Sequence, residues 1–178
     1  MGALLDQKYE RLFSLLDVNG DGVIAEDDFV LMADRVRASF GEERTAAKGQ
    51  RYADEMLNYW HALRATADTD GDGRIDKSEF RQAVRHVSEN FDTLIGPLYE
   101  AGFHFADRDG DGLVSRDEFA AVVAAIGVPE GDAGATFERL AGGADGTLTL
   151  ARLMTAATQY YCDEDPANSA SHQLFGPL

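Results

Sequence analysis

The sequence predicts an all-α protein: four helix–loop–helix units in two pairs, joined as one body, with a short β-bridge between the loops of each pair. Three observations predict it. A 12-residue segment rich in carboxylates and glycine recurs along the 178-residue chain. Each copy is flanked by apolar residues at three- and four-residue steps, the mark of a helix with one buried face. Each clear copy is followed at once by phenylalanine.

The clear copies are D-V-N-G-D-G-V-I-A-E-D-D at 17–28, D-T-D-G-D-G-R-I-D-K-S-E at 68–79 and D-R-D-G-D-G-L-V-S-R-D-E at 107–118. Each carries acidic or amide side chains at positions 1, 3 and 5, glycine at 6 and a carboxylate at 12. Position 8 is aliphatic (Ile24, Ile75, Val114), and Phe29, Phe80 and Phe119 follow. Once this frame is known a fourth copy is visible, A-G-G-A-D-G-T-L-T-L-A-R at 141–152. It keeps Gly146 at position 6 and Leu148 at 8, with Leu153 in place of phenylalanine. The gap between the first two loops is the longest, and it holds two helix-like stretches but no further loop.

Taken in order, the entering helices show Tyr9, Leu12, Phe13 and Leu16 before loop 1, and Trp60, Leu63, Arg64 and Ala67 before loop 2. Tyr99, Gly102, Phe103 and Ala106 precede loop 3, and Ala133, Thr136, Phe137 and Leu140 precede loop 4. The exit helices show Phe29/Met32/Val36/Phe40, Phe80/Ala83/Val84/Val87 and Phe119/Val122/Val123/Ile126. Gly127 and Pro129 stop the last of these. Gly96-Pro97 is awkward ahead of loop 3, and Pro97 either opens that helix or kinks it.

Composition narrows the function. The chain carries 16 basic and 32 acidic residues, a formal charge of −16. Nucleic acid and anionic membrane surfaces need lysine and arginine, so neither is expected as a partner. A cationic partner is expected instead. Cys162 is the single cysteine, so no intramolecular disulfide forms, which suits a reducing compartment. No apolar run reaches the roughly 18 residues of a membrane span. The opening M-G-A-L-L-D lacks a signal peptide's basic and apolar stretch. It also places Asp6 where an acylation signal needs Ser or Thr. A cytoplasmic monomer is expected.

The loops themselves name the cation. Ca²⁺ takes six to eight oxygens at about 2.3–2.6 Å. A 12-residue loop wraps it when positions 1, 3 and 5 point inward, glycine at 6 turns the chain, position 7 offers its backbone carbonyl and position 12 closes with a carboxylate. Loops 2 and 3 satisfy D-x-[DN]-x-[DN]-G-x₅-E in full. The expected ligands are Asp17, Asn19, Asp21, Val23 and Asp28 in loop 1. In loop 2 they are Asp68, Asp70, Asp72, Arg74 and Glu79, and in loop 3 Asp107, Asp109, Asp111, Leu113 and Glu118. Val23, Arg74 and Leu113 contribute only backbone carbonyls. Two like charges about 4 Å apart repel by about 1 kcal/mol in water and about 4 at an effective dielectric of 20. Such carboxylate clusters are therefore strained without a cation. In loop 1, Asp28 is one methylene shorter than glutamate, so Mg²⁺ is expected to compete best there. Loop 4 is expected to bind no ion, because Ala141, Gly143 and Arg152 replace side-chain ligands and Asp145 stands alone.

On these motifs the chain is identified as a member of the EF-hand superfamily over about its whole length. The uneven spacing, the three equipped hands and Asp at position 12 of loop 1 resemble the sarcoplasmic calcium-binding proteins, the calexcitins and bacterial calerythrin. The resemblance implies that hands pair, Ile24 with Ile75 and Val114 with Leu148. It implies an N-terminal pair over 1–90 and a C-terminal pair over 91–162. It also implies a tail over 163–178 that tucks back, consistent with the apolar ending Leu174, Phe175 and Leu178. Two functions compete: a calcium buffer that barely opens, and a sensor that exposes a groove for a target protein. Sensors line such grooves with methionine, and Met32, Met56 and Met154 are scattered, which favours the buffer. No enzyme is expected. His61, His86, His104 and His172 lack metal-ligand spacing, and Cys162 sits among Asp163, Glu164 and Asp165, which blunts it as a nucleophile.

Overall fold

In the computed structural model, nine helices follow one another among the described residues, which are 3–40, 46–143, 146–163 and 174–176. They are α1 (Ala3–Leu16), α2 (Glu26–Ala38), α3 (Ala46–Ala67), α4 (Lys77–Glu89), α5 (Phe91–Leu94), α6 (Gly96–Ala106), α7 (Arg116–Ala125), α8 (Glu130–Ala141) and α9 (Leu150–Cys162). The two stretches in the long first gap are α2 and the 22-residue α3. Pro97 opens α6 rather than kinking it, because the one-turn α5 ends just before, and a proline in a first turn loses no helical hydrogen bond.

Each exit helix begins inside its loop. Position 9 is the N-cap and position 12 the third helical residue, so one carboxylate serves both loop and helix. Asp76 with Glu79, and Ser115 with Glu118, form reciprocal capping boxes. In loop 1 the cap residue is Ala25, and Asp28 alone closes the box by accepting from the Ala25 N–H at 2.9 Å.

The loops pair through position 8. Ile24 and Ile75 exchange two backbone hydrogen bonds of 2.9 Å, and Val114 and Leu148 do so at 2.9 and 3.0 Å. The phenylalanine after each loop crosses to its partner's entering helix. Phe29 meets Trp60 at 5.4 Å, Phe80 meets Phe13 at 5.5 Å and Phe119 meets Phe137 at 5.7 Å. Burying these rings couples the two hands of each pair.

The two pairs share one hydrophobic core. Helix α3 packs on α2, α4 and α6, and α2 also meets α7. The first and last helices are stitched together: the Tyr160 hydroxyl donates to the Lys8 carbonyl at 3.0 Å, and the Tyr9 hydroxyl donates to the Tyr161 carbonyl at 3.2 Å. Lys8 is fully buried, and its ammonium donates to the Asp163 carbonyl at 2.7 Å, at the C-terminal end of α9. A buried cation is tolerated there because the last carbonyls of a helix carry partial negative charge. Of the apolar tail, Leu174 and Phe175 lie buried in this core, while Leu178 is outside the described residues.

Candidate metal centre

Loops 1, 2 and 3 share one internal framework. The position 1 carboxylate accepts the N–H of the position 6 glycine: Asp17 from Gly22 at 3.0 Å, Asp68 from Gly73 at 3.1 Å and Asp107 from Gly112 at 3.2 Å. Those glycines have φ of 91°, 83° and 82°, a left-handed backbone that other residues adopt only at a cost. Position 3 accepts from the position 5 N–H, and position 5 from the position 7 N–H, as in Asp70 to Asp72 to Arg74 at 3.1 and 2.7 Å.

The position 12 carboxylate closes each ring. Glu79 accepts from the Thr69 N–H at 3.0 Å, the Thr69 hydroxyl at 2.8 Å and the Asp76 N–H at 3.1 Å. Glu118 accepts from the N–H groups of Arg108 at 2.9 Å and Ser115 at 2.8 Å, and from the Ser115 hydroxyl at 2.7 Å. Asp28 reaches the equivalent N–H groups with its shorter arm, Val18 at 2.9 Å and Ala25 at 2.9 Å, and also accepts from the Asn19 N–H at 3.1 Å. To do so it is drawn fully into the protein, 1% exposed, whereas both glutamates remain half-buried.

That difference appears in the acidities. Burial pushes the Asp28 carboxyl up, against the three N–H bonds that favour its ionised form. The Thr69 hydroxyl leads the groups that hold Glu79 below the usual range. Burial raises Glu118, but the hydrogen bonds from Ser115 and Arg108 outweigh it and hold this carboxyl low.

The donor sets fit a hard divalent cation. Carboxylate oxygens of Asp68, Asp70 and Glu79 lie within 4.8 Å of one another, as do those of Asp107, Asp109 and Glu118; among the described residues no other groups do so. Oxygens so close repel unless a cation lies between them. In loop 1 the amide of Asn19 replaces one carboxylate. There Asp17 Oδ1 is buried without a hydrogen-bond partner among the described residues, an acceptor left free for a cation.

Loop 4 is built differently. Arg152, at position 12, turns its guanidinium back to donate to the carbonyl of Ala141 at position 1. A positive side chain thus closes this loop. Gly146 is required by space rather than by φ, since a Cβ there would lie 2.4 Å from the Ala141 carbonyl oxygen. Asp145 lies outside the described residues.

Several supporting residues escaped the motif. Thr69 and Ser115 brace position 12. Arg64 forms an ion pair with Asp68 at 3.3 Å, readable only as an i,i+4 spacing. Lys48, on α3, donates to the Asp107 carbonyl at 2.5 Å, tying the long helix to loop 3. No local signal marks Lys48, because the contact spans 59 residues of sequence.

Family models agree with this geometry. The EF-hand domain pair matches residues 65–124, and the EF hand matches residues 10–32. The solved structure of a Streptomyces coelicolor calcium-binding protein is 30% identical, with a TM-score of 0.78, covering 88% of this chain and 97% of that one. The chain belongs to the EF-hand family. This EF-hand chain is also 24% identical to calerythrin of Saccharopolyspora erythraea over 164 residues, covering 89% of the chain and 93% of calerythrin. To the beta chain of a sarcoplasmic calcium-binding protein from a Penaeus species it is 29% identical over 177 residues, covering 92% and 91%. It is a calcium-binding EF-hand protein of the sarcoplasmic and calerythrin type. Among the described residues no helix is long and apolar enough to cross a membrane.

Proposed function

We propose that the protein is a cytoplasmic calcium buffer, acting as a monomer, that holds three ions in loops 1, 2 and 3 and none in loop 4. Asp17, Asn19, Asp21 and Asp28 would hold the first, with the Val23 carbonyl. Asp68, Asp70, Asp72 and Glu79 would hold the second, with the Arg74 carbonyl. Asp107, Asp109, Asp111 and Glu118 would hold the third, with the Leu113 carbonyl. Bound calcium supplies the positive charge that cancels carboxylate repulsion within each loop. Loop 1, with the shorter Asp28 and with Ala25 at position 9, offers fewer oxygens and is where Mg²⁺ would compete best.

The observation that carries the buffer reading is the closed core. Leu174 and Phe175 are buried in it, and among the described residues only Val30 and Leu31 are large exposed hydrophobics. Met32 and Met56 are buried and Met154 half-buried, so among the described residues no methionine is fully exposed to line a groove. A second reading is a calcium sensor that regulates a target protein. It is favoured by the Streptomyces coelicolor relative, whose structure is described as the basis for prokaryotic calcium-mediated regulation.

Binding of the hydrophobic dye ANS in millimolar Mg²⁺, with and without Ca²⁺, separates the two. Unchanged fluorescence, with calcium binding measured alongside, supports a buffer. A large calcium-dependent rise would refute that reading and favour the sensor.

A further inference from the structure

Loop 4 repeats the outline of the other loops with its polarity reversed. In loops 1, 2 and 3 the position 12 carboxylate accepts N–H groups from positions 2 and 9. In loop 4 position 12 is Arg152, and its guanidinium donates to the carbonyl of Ala141, the last residue of α8. The negative end of that helix's dipole favours a cation there. The guanidinium also lies against Gly142, the left-handed residue that ends α8, where a Cβ would stand 3.2 Å from Arg152 Nη1. Arg152 is itself held in the first turn of α9, its N–H donating to the Thr149 hydroxyl at 3.3 Å. A positive side chain thus joins the two helices that flank this loop.

The loop closed in this way presents Leu148 to Val114. Leu148 is buried, and the two residues exchange backbone hydrogen bonds of 2.9 and 3.0 Å. Val114 sits between Gly112, whose N–H Asp107 accepts, and Glu118, which closes loop 3. The bridge therefore fixes the middle of loop 3. Loops 1 and 2 differ, because both carry clustered carboxylates that repel until a cation arrives. A site whose partner is already ordered gives up less conformational entropy when it fills.

We propose that Arg152 is a tethered substitute for a fourth cation: a positioning residue that keeps loop 4 closed in the calcium-free protein, so that loop 3 binds calcium against an ordered partner. The proposal rests on the reading that loop 3 holds an ion. The hydrogen bonds of Arg152 run to Ala141 and Thr149 rather than to a loop 3 ligand. Charge alone would act in the opposite sense, since removing a positive group from this pair of loops strengthens its attraction for calcium.

The test compares the full-length protein with Arg152→Met and Arg152→Lys by nuclear magnetic resonance. Methionine keeps an unbranched stem without a donor, whereas lysine keeps a charge and a donor. Arg152 is exposed, and both replacements are good helix formers, so α9 is retained. The amide of Gly112 follows calcium at loop 3, and those of Gly22 and Gly73 follow loops 1 and 2. Arg152→Met is expected to weaken calcium at loop 3 about tenfold, the equivalent of one charge-assisted hydrogen bond, while loops 1 and 2 stay within about twofold. Arg152→Lys is expected to recover most of that loss. In calcium-free protein the Val114 and Leu148 amides should exchange with deuterium about tenfold faster in Arg152→Met than in the unaltered chain. Loop 3 affinity that is unchanged or stronger in Arg152→Met overturns the proposal. So does unchanged amide exchange, or a lysine variant no better than methionine. A Gly112 amide that ignores calcium in the unaltered protein overturns the loop 3 assignment itself.

Discussion

Replacing Phe175 by alanine distinguishes a tail that is part of the core from one that is merely laid over it. Phe175 is 9% exposed, and its ring stands edge-on to Tyr160 with centroids 5.1 Å apart. Arg11 donates to its carbonyl from Nε at 3.2 Å and from Nη2 at 3.0 Å. Truncating a buried phenylalanine costs about 3–5 kcal/mol, including about 0.5–1.5 for an aromatic pair. Phe175 already borders a cavity in the core, so fewer contacts are lost and the lower end, about 3 kcal/mol, is expected. For a chain of this length that lowers Tm by about 6–12 °C. The assay is urea unfolding at saturating calcium, with thermal unfolding alongside. Calcium stoichiometry should not change, since the bond and ring contact of Phe175 run to Arg11 and Tyr160 rather than to a loop carboxylate. A loss below about 0.5 kcal/mol, the level of an ordinary surface substitution, would refute the reasoning and make the tail a detachable cover.

Glu79→Gln and Glu118→Gln should each remove one tightly bound calcium ion in equilibrium dialysis, because each keeps one acceptor oxygen but loses the charge that closes its loop; Arg152→Glu should add none, since Ala141 and Gly143 still lack ligands. An unchanged count for Glu118→Gln would show that loop 3 is wrongly assigned. On acidification, loop 1 should release calcium first. Asp28 has its pKa raised by burial while Glu79 and Glu118 have theirs lowered, so protons compete at loop 1 at higher pH. Trp60 emission should report this step, because its ring lies 5.4 Å from Phe29, the residue after Asp28. Arg64→Met should strengthen calcium binding at loop 2 severalfold at low salt, by removing the cation that pairs with Asp68 at 3.3 Å; weaker binding would mean that Arg64 positions Asp68 rather than competing for it.

The loops were legible because their requirements are local. Ligand spacing, the left-handed glycines Gly22, Gly73 and Gly112, and the capping residues all act within 12 residues, so a short string of letters records them. The pairing of Ile24 with Ile75 and of Val114 with Leu148 was readable through resemblance, as one position repeated in every loop. The character of loop 4 was half legible. The lost ligands stand in the sequence, but the turn of Arg152 onto the Ala141 carbonyl depends on side-chain direction. The same limit applies to Asp28. Its shorter arm was visible, but burial of its carboxylate, and the resulting rise in its pKa, depends on what surrounds it.

By itself, then, the sequence determined the helix–loop–helix units, the candidate ligands and the absence of an equipped fourth site, because each is dictated by short-range stereochemistry and charge. Tertiary structure decided that the two pairs share one core, that Lys48 reaches loop 3, that Lys8 caps α9 from α1, and that a tyrosine-lined cavity remains at the centre. These contacts join residues far apart along the chain. Packing settles them only when all the helices compete for the same interior volume, and no local pattern encodes the outcome.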